Sequence, residues 1–491
     1  MLYLTLCFVL SASFIAYKVY ELFKVPEDLK HVPQISFFKF ILSFIKGEPF
    51  DVRHKKLIEP TIGEKEYGII WQQGAWEIIV SDVTSIKYIF NHTDVFLKKK
   101  DKDFTENQLR RKFFGISNVV SNDKQEWKRH RRIINPAFKK TWPVELFGEC
   151  ANDLIDVIQK NGTKPIVLND LFSRLTLDAL GKGLFSFHFE AVNNSSKSEM
   201  INAYNEVTKE IFNPIYFTFP VLESIVPSRQ YYHHKNEEFR SFLAEIITLR
   251  KKEIENGNSK DDLISLLLKN MKESTKESLS NNEVINNLAT FFLAGHDTTA
   301  NTLTSTVYYL AKYPEMQQKV RKEIVCVLGN SGNAIPSHEQ QKKFTYLNCF
   351  IKETMRIITT VGILRRYCDR DEILPNTLLV KEGTYLNCYL WGTHHNSKYF
   401  PNPDKFDPDR FLDPYGEQSN SWMPFGGGSR LCVGINFSLI EQRIVLSMLL
   451  QRYELKLGPK SKEWKTPLLT TAGFVYPKDL DIQFIKIAED I

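Results

Sequence analysis

The sequence predicts a mainly α-helical protein with small β-sheets, built as one large domain behind an apolar N-terminal segment. Three observations lead there. Helical spacing of apolar residues dominates from Asp82 onward. Strand patterns are short and confined to Tyr67–Ser81 and to stretches after Thr466. No linker, internal repeat or long low-complexity tract divides the 491 residues, although this length allows about three domains.

Residues 1–17 are almost wholly apolar and uncharged, and Val19 and Tyr20 extend the run around Lys18. That approaches the roughly 20 residues that span a bilayer, so 1–20 is expected to be a transmembrane anchor. Lys18 and Lys24 sit on its C-terminal side and hold the rest of the chain in the cytosol. A cleaved signal, with Ser11 to Ser13 near a cut site, would carry a positive N-terminal region, which is missing here. Pro26 and Pro33 make 21–50 a hinge, and 51–491 is the folded domain. Asp51–Glu59 reads as a helix, and Tyr67–Gln73 with Trp76–Ser81 as a hairpin about Gly74-Ala75. Asn281–Leu310 is the longest helix, about 45 Å long, and Ser280 with Glu283 forms its capping box. The polar stretch from Glu255 to Asn282 is a surface connection holding one apolar run, Leu263–Leu268. After Glu372 the chain turns irregular, and strands return near Thr466–Tyr476 and Leu480–Ile485.

A net charge of +6 is too mild to argue for nucleic acid. It suits an anionic membrane surface or an acidic partner protein. Seven scattered cysteines include no Cys-x-x-Cys pair, which argues against a zinc ribbon or redox dithiol and fits a reducing compartment.

The richest stretch is Phe425–Gly434, Phe-Gly-Gly-Gly-Ser-Arg-Leu-Cys-Val-Gly, which opens onto the apolar helical segment Ile435–Leu450. A cysteine at a helix start meets unpaired N–H groups and the positive end of the helix dipole, which lower a thiol pKa. Gly428 and Gly434 allow close approach of a flat ligand, and Arg430 can pair with an anionic group on it. A buried structural cysteine in a glycine turn is the plainer reading of such a loop. In the middle of the long helix lies Ala294-Gly295-His296-Asp297-Thr298-Thr299, a poor helix former. Thr298 is four residues after Ala294, so its hydroxyl can bond back and open the helix locally; a tolerated weak spot is the alternative. Trp127 and Arg131 share a helix face within Trp-Lys-Arg-His-Arg-Arg. Glu353 and Arg356 form Glu-x-x-Arg, a pattern that Glu126/Arg129 and Glu237/Arg240 repeat.

Together, and in this order, these motifs resemble those of the cytochrome P-450 family over nearly the whole chain. The resemblance implies the mainly helical P-450 fold as a single catalytic domain, and haem-thiolate monooxygenation. It makes Cys432 the axial ligand of a haem b, with Phe425 shielding the sulfur. Arg430, Trp127, Arg131 and either Arg365 or Arg366, with Arg366 preferred, meet the propionates. Ala294 and Gly295 leave room above the iron. Some fatty-acid hydroxylases carry a Glu where Ala294 stands, and it esterifies the haem; alanine implies non-covalent haem. Thr298 holds a proton-delivering water that Asp297 feeds, while position 296 is variable, so His296 is a packed histidine rather than a ligand. Glu353, Arg356 and Arg410, the last within Phe406-Asp407-Pro408-Asp409-Arg410-Phe411, form a structural lock; Asp409 replaces the usual Glu. Lys128, Arg129 and Arg132 face outward toward an acidic reductase. The pocket is lined by Phe291, Phe292, Ala294, Ile363, Leu364, Ala472 and Gly473, for an apolar small molecule. The expected partners are an NADPH-dependent reductase, a small electron-transfer haem protein and the endoplasmic reticulum membrane, crossed once with the catalytic domain on the cytosolic side. A non-oxygenase isomerase or dehydratase of the same fold is the nearest alternative, and Asp297-Thr298 argues against it. A haem or lipid carrier that turns nothing over is the second; it would consume no NADPH in response to substrate.

Overall fold

The computed structural model describes residues 13–487 except 15, 16, 18, 19, 22, 99–105, 194–198, 272–277, 330 and 331. Most of the expected anchor lies outside the described residues. Gln73 and Gly74 take positive φ, 52° and 80°, and form the two-residue turn that joins β1 (Tyr67–Gln72) to β2 (Ala75–Val80). Added to this hairpin are β3 (Phe96–Leu97), and, from far along the chain, β5 (Leu364–Cys368) and β8 (Tyr385–Cys388). The sheet order is β1-β2-β8-β5-β3, with β2 and β8 parallel. A second sheet joins β4 (Ile166–Val167), β10 (Asp481–Lys486) and β9 (Tyr453–Leu457), and a ribbon pairs β6 (Glu372–Ile373) with β7 (Leu379–Val380). The stretch Thr466–Tyr476, expected as a strand, is a loop closed by a single bridge, Leu469 to Pro477. Gly473, at φ 73°, and Pro477 interrupt regular pairing there.

The helices that carry the argument are α1 (Phe37–Ile45), α2 (Val83–Asn91), α3 (Lys124–Lys139), α4 (Val144–Asn161), α5 (Leu168–Leu180), α6 (Glu199–Glu210), α7 (Ser228–Glu255), α8 (Asn281–Lys312), α9 (Thr345–Ile357) and α10 (Ile435–Arg452). Both halves of the Ser280–Glu283 capping box are formed, and α8 is buried over most of its length. One core surrounds α8; a second lies against the five-stranded sheet. Residues 24–50, within the expected hinge, dock on that sheet. Leu29 and Val32 are buried in the second core, and Gln34 pairs with Ile69. The apolar run Leu263–Leu268 forms a buried short helix rather than a surface connection.

Of the three Glu-x-x-Arg pairs, Glu353 and Arg356 alone are fully enclosed. Their two hydrogen bonds measure 2.7 and 2.8 Å. Arg356 also donates to His394 O at 2.7 Å, Asp407 N–H donates to Glu353 at 2.8 Å, and Arg410 Nε lies 3.4 Å from Glu353. Arg240, by contrast, donates to Phe113 O and Asn286. Removing one partner of a buried pair leaves the other charge uncompensated. Arg356→Ala should therefore destabilise the fold by about 3–5 kcal/mol, while Glu237→Ala should stay within roughly 0.5 kcal/mol. Equal denaturant midpoints for the two variants would contradict the lock.

Glu441 in α10 is buried, with neither carboxylate oxygen hydrogen-bonded among the described residues. Burial raises its pKa well above the ordinary 4.5. A raised folded pKa favours the fold fully below the unfolded value and is lost as pH climbs toward the folded one. The isosteric Glu441→Gln should thus gain stability on wild type by about 1.4 kcal/mol per pH unit above the unfolded value. A gap between the two denaturation curves that is the same at pH 5 and pH 7, roughly the window set by these shifts, would rule this out.

Candidate functional site

The long helix α8 supplies one side of the site. Thr298 Oγ1 donates to Ala294 O at 2.8 Å, the bond its spacing predicts. α-Helical hydrogen bonding continues through this turn, so the expected opening is a side-chain bond rather than a break. Ala294 is exposed in a helix whose preceding ten residues are buried. At Gly295 a Cβ would stand 2.4 Å from Leu180 of α5, so its missing side chain serves helix packing. Asp297 Oδ2 accepts from the Tyr204 hydroxyl at 2.6 Å. His296 is a packed residue: it is buried, its Nδ1 lies 2.5 Å from Phe292 O, and its ring faces Tyr204.

The cysteine loop is pinned from two directions. Gly428 has φ 63°, and a Cβ there would sit 2.3 Å from Phe90 O of α2, so only glycine is accommodated. Cys432 N–H donates to Phe425 O at 3.1 Å, and Arg131 donates to Leu431 O at 2.8 Å. A Cβ at Gly434 would find its nearest neighbour, Phe138, 3.8 Å away. The Cys432 side chain is accessible. Its thiol pKa is nonetheless raised, because burial in the surrounding protein outweighs the Gly434 N–H and the Arg131 guanidinium, which both favour thiolate. The helix-start argument alone predicts the opposite direction; it names two real contributions but omits desolvation, the largest.

Beside the loop stands a group of cations. Arg430 donates to Asn122 O at 2.6 Å and to Asp123 at 2.7 Å, and stacks on Trp127 at 4.3 Å. Burial lowers its pKa to about 10. Arg366 is buried and feels Asp123. Strand alternation turns its neighbour Arg365 the other way, onto buried Glu77 at 2.5 Å and the Tyr385 ring. Lys98, whose backbone N–H is held by Asp123, is pushed well below its ordinary pKa by burial and then by Arg366 and Arg430. Two carboxylates placed among Lys98, Arg366, Arg430 and Arg131 would relieve this crowding. The Trp127 indole N–H, without an acceptor among the described residues, is a further donor. The donor set, the open space at Gly434 and the accessible thiol fit a haem with two propionates.

Arg129 departs from the outward orientation expected of it. It turns inward to the Ser278 carbonyl and Glu283, while Lys128 and Arg132 are exposed. Its guanidinium bonds both Glu126 and Glu283 beside His130, so a cation already serves that cluster of ligand-type side chains. The pocket lining also differs. Phe292 packs against Phe185, Phe189, Tyr204 and Phe239, and Phe291 against Phe138, on the core side of α8. A cavity of about 960 Å³ meets α8 instead at Leu293, Asp297, Ala300 and Asn301, and includes Ala472 and Gly473 from the expected set. Lys98 and Tyr204 escape a sequence reading. Lys98 precedes a run of lysines that looks like any solvated patch, and nothing local links Tyr204 to Asp297.

A family model described as Cytochrome P450 matches residues 63–483. The chain is 28% identical to human cytochrome P450 3A5 and 26% identical to mouse cytochrome P450 3A13, in each case over 84% of both chains. It is 29% identical to the 11-oxo-beta-amyrin 30-oxidase of Glycyrrhiza uralensis, over 82% of this chain and 77% of the relative.

Proposed function

Because the chain belongs to the cytochrome P450 family, we propose that it is a haem-thiolate monooxygenase that inserts one oxygen atom of dioxygen into an apolar organic substrate. The observation that carries this reading is Cys432, an accessible thiol on a loop pinned by Gly428 and flanked by Arg131. Cys432 would ligate the iron of a non-covalent haem b. Trp127, Arg131, Arg366, Arg430 and Lys98 hold its propionates, and Phe425 accepts the Cys432 N–H and fixes the loop. Bound there, a haem would supply the activation of dioxygen, a chemistry that a thiolate ligand such as Cys432 favours.

The remaining work falls to the chain. Thr298 spends its hydroxyl proton on Ala294 O, which leaves its oxygen lone pairs to hold a water. Asp297, oriented by Tyr204 and lining the cavity, passes protons to that water. Glu353, Arg356 and Arg410 are structural. Electrons come from a separate NADPH-dependent reductase, docked on exposed Lys128 and Arg132, with a small electron-transfer haem protein as a second donor. The Asp297-Thr298 pair favours oxygenation over the isomerase or dehydratase alternative.

Residues 1–20 anchor the protein in the endoplasmic reticulum membrane by a single pass, with 51–491 as the catalytic domain on the cytosolic side. Among the described residues no helix is long and apolar enough to cross a membrane, so the anchor reading rests on the composition of 1–20. Exposed Phe38, Leu42 and Ile45 of α1, with Ile215, Val221 and Ile225, add apolar surface beside the cavity.

Cys432→Ala should abolish the strongly red-shifted ferrous–CO band, whereas Cys349→Ala or Cys388→Ala should keep it; a normal spectrum in Cys432→Ala removes the central assignment. Thr298→Ala should bind haem normally yet divert NADPH consumption from product to peroxide, within the roughly 10²–10⁴ effect typical of a positioned proton donor. An unchanged product-to-NADPH ratio, with Thr299 also dispensable, means that protons take another route. Removal of residues 1–24 should abolish carbonate-resistant membrane attachment while haem is retained; persistent attachment would point to a second integral element.

A further inference from the structure

The cavity beside α8 is not uniformly apolar. Its apolar lining is concentrated on α1 and the segment after α6, including Phe44, Ile215, Phe219 and Leu222, and continues at Leu293 and Ala300 of α8 and at Phe474. The polar lining lies mainly on other elements: Asn169, Asp170 and Ser173 of α5, Asn205, Thr208 and Lys209 of α6, Asp297 and Asn301 of α8, and Thr470, Thr471 and Tyr476 of the C-terminal loop, with Asn213 alone on the apolar side. Asp297 and Tyr476 are close enough for the carboxylate to help raise the phenol pKa, after burial.

Asn301 is the informative residue. It is 8% exposed, it lines the cavity, and its side-chain amide has no hydrogen-bond partner among the described residues. Its helical neighbours solve the same problem locally. Thr302, Thr304, Ser305 and Thr306 each donate to the carbonyl four residues back. A leucine would fill the Asn301 position with no polar atom to satisfy, so a buried amide left open toward a cavity calls for a ligand atom or water. The side chains of Asn205, Ser173 and Tyr476 likewise lack partners among the described residues. The charged groups of the lining are already engaged, Asp297 by Tyr204, Asp170 by Arg174 and Lys209 by Glu206, so the groups left open are neutral.

We infer that the substrate is a neutral amphipathic lipid alcohol, whose apolar body lies on the α1 and 212–222 side and whose hydroxyl is hydrogen-bonded by Asn301 and Asn205. A hydroxyl both gives and accepts a proton, which matches an amide that offers both functions. This rests on the monooxygenase reading above and narrows its substrate from apolar to amphipathic. Asn301 and Asn205 are specificity residues for this ligand; Thr298 and Asp297 keep their separate role.

The test uses the full-length haem-loaded protein in detergent and two tritiated probes, cholestanol and its parent hydrocarbon cholestane, in equilibrium dialysis. Wild type should bind the alcohol about tenfold more tightly, the worth of one well-placed hydrogen bond. The near-isosteric double variant Asn205→Leu/Asn301→Leu should lose that preference while holding cholestane at least as well, which shows that the pocket still folds. Equal affinities in wild type, or a preference that survives the double substitution, would overturn the inference. So would unchanged affinities combined with altered peroxide yield per NADPH, since the polar lining would then conduct water to Asp297. The ferrous–CO spectrum of the same preparations separates the two readings: its absence in wild type refutes the haem assignment, whatever the dialysis shows.

Discussion

Glu353 and Arg356 face each other inside the protein with no exposed surface on either side chain, and the cysteine loop hangs from that pair. Arg356 also grips the carbonyl of His394. The His394 Nε2 accepts the N–H of Met423 at 3.0 Å, and Met423 O accepts from Gly426. Phe425 between them receives the Cys432 N–H. Because Nε2 is an acceptor, the proton sits on Nδ1, which donates to Thr359 Oγ1 at 2.6 Å. Burial, with Arg356 nearby, lowers the imidazole pKa to about 3 and keeps that tautomer neutral. A buried ion pair is weak evidence for stability in itself. Here its geometric consequence matters more: each bond in the series fixes the orientation of the next, as far as the thiol.

Around the loop, electrostatics is arranged against the isolated protein. Lys98, Arg366 and Arg430 crowd together, and Asp123 is shared among backbone and guanidinium donors. Such crowding is tolerable where an anionic ligand completes the set, which is why charge, more than shape, makes the cluster legible as a propionate site. The raised thiol pKa belongs to the same picture. Burial disfavours the Cys432 thiolate as it disfavours the charges on Lys98, Arg366 and Arg430.

Helix α8 separates three environments within about three turns. Phe292 and His296 face the aromatic core, Ala294 and Thr298 the open side, and Asp297 with Asn301 the cavity. The same hydrogen-bonding habit, a hydroxyl bonded to the carbonyl four back, lets polar residues occupy its interior without breaking it. Asn287 follows the same habit through its amide, which donates to Glu283 O at 2.7 Å, whereas Asn301 does not and leaves an open polar group at the cavity.

Local physics made much of this protein legible from sequence alone. The capping box at Ser280, the hairpin turn at Gly74, the glycine-rich approach to Cys432 and the three-residue spacing of Glu353 and Arg356 all act within a few residues, so pattern is enough. Direction was not legible. Period-two alternation separates Arg365 from Arg366 but cannot say which face meets the loop; the pairing of β5 with β8 and the Glu77 carboxylate decide it. Helical spacing cannot say whether Phe292 or Leu293 lines a cavity, because both sit in an apolar helix and only the packing of α5, α6 and α7 selects the core side. The inward turn of Arg129, the role of Lys98 and the partner of Asp297 depend on residues distant in the chain. Sequence determined which chemical groups were present and how neighbours were spaced; only the tertiary structure decided which were desolvated together, because burial and charge proximity are properties of distant segments brought into contact.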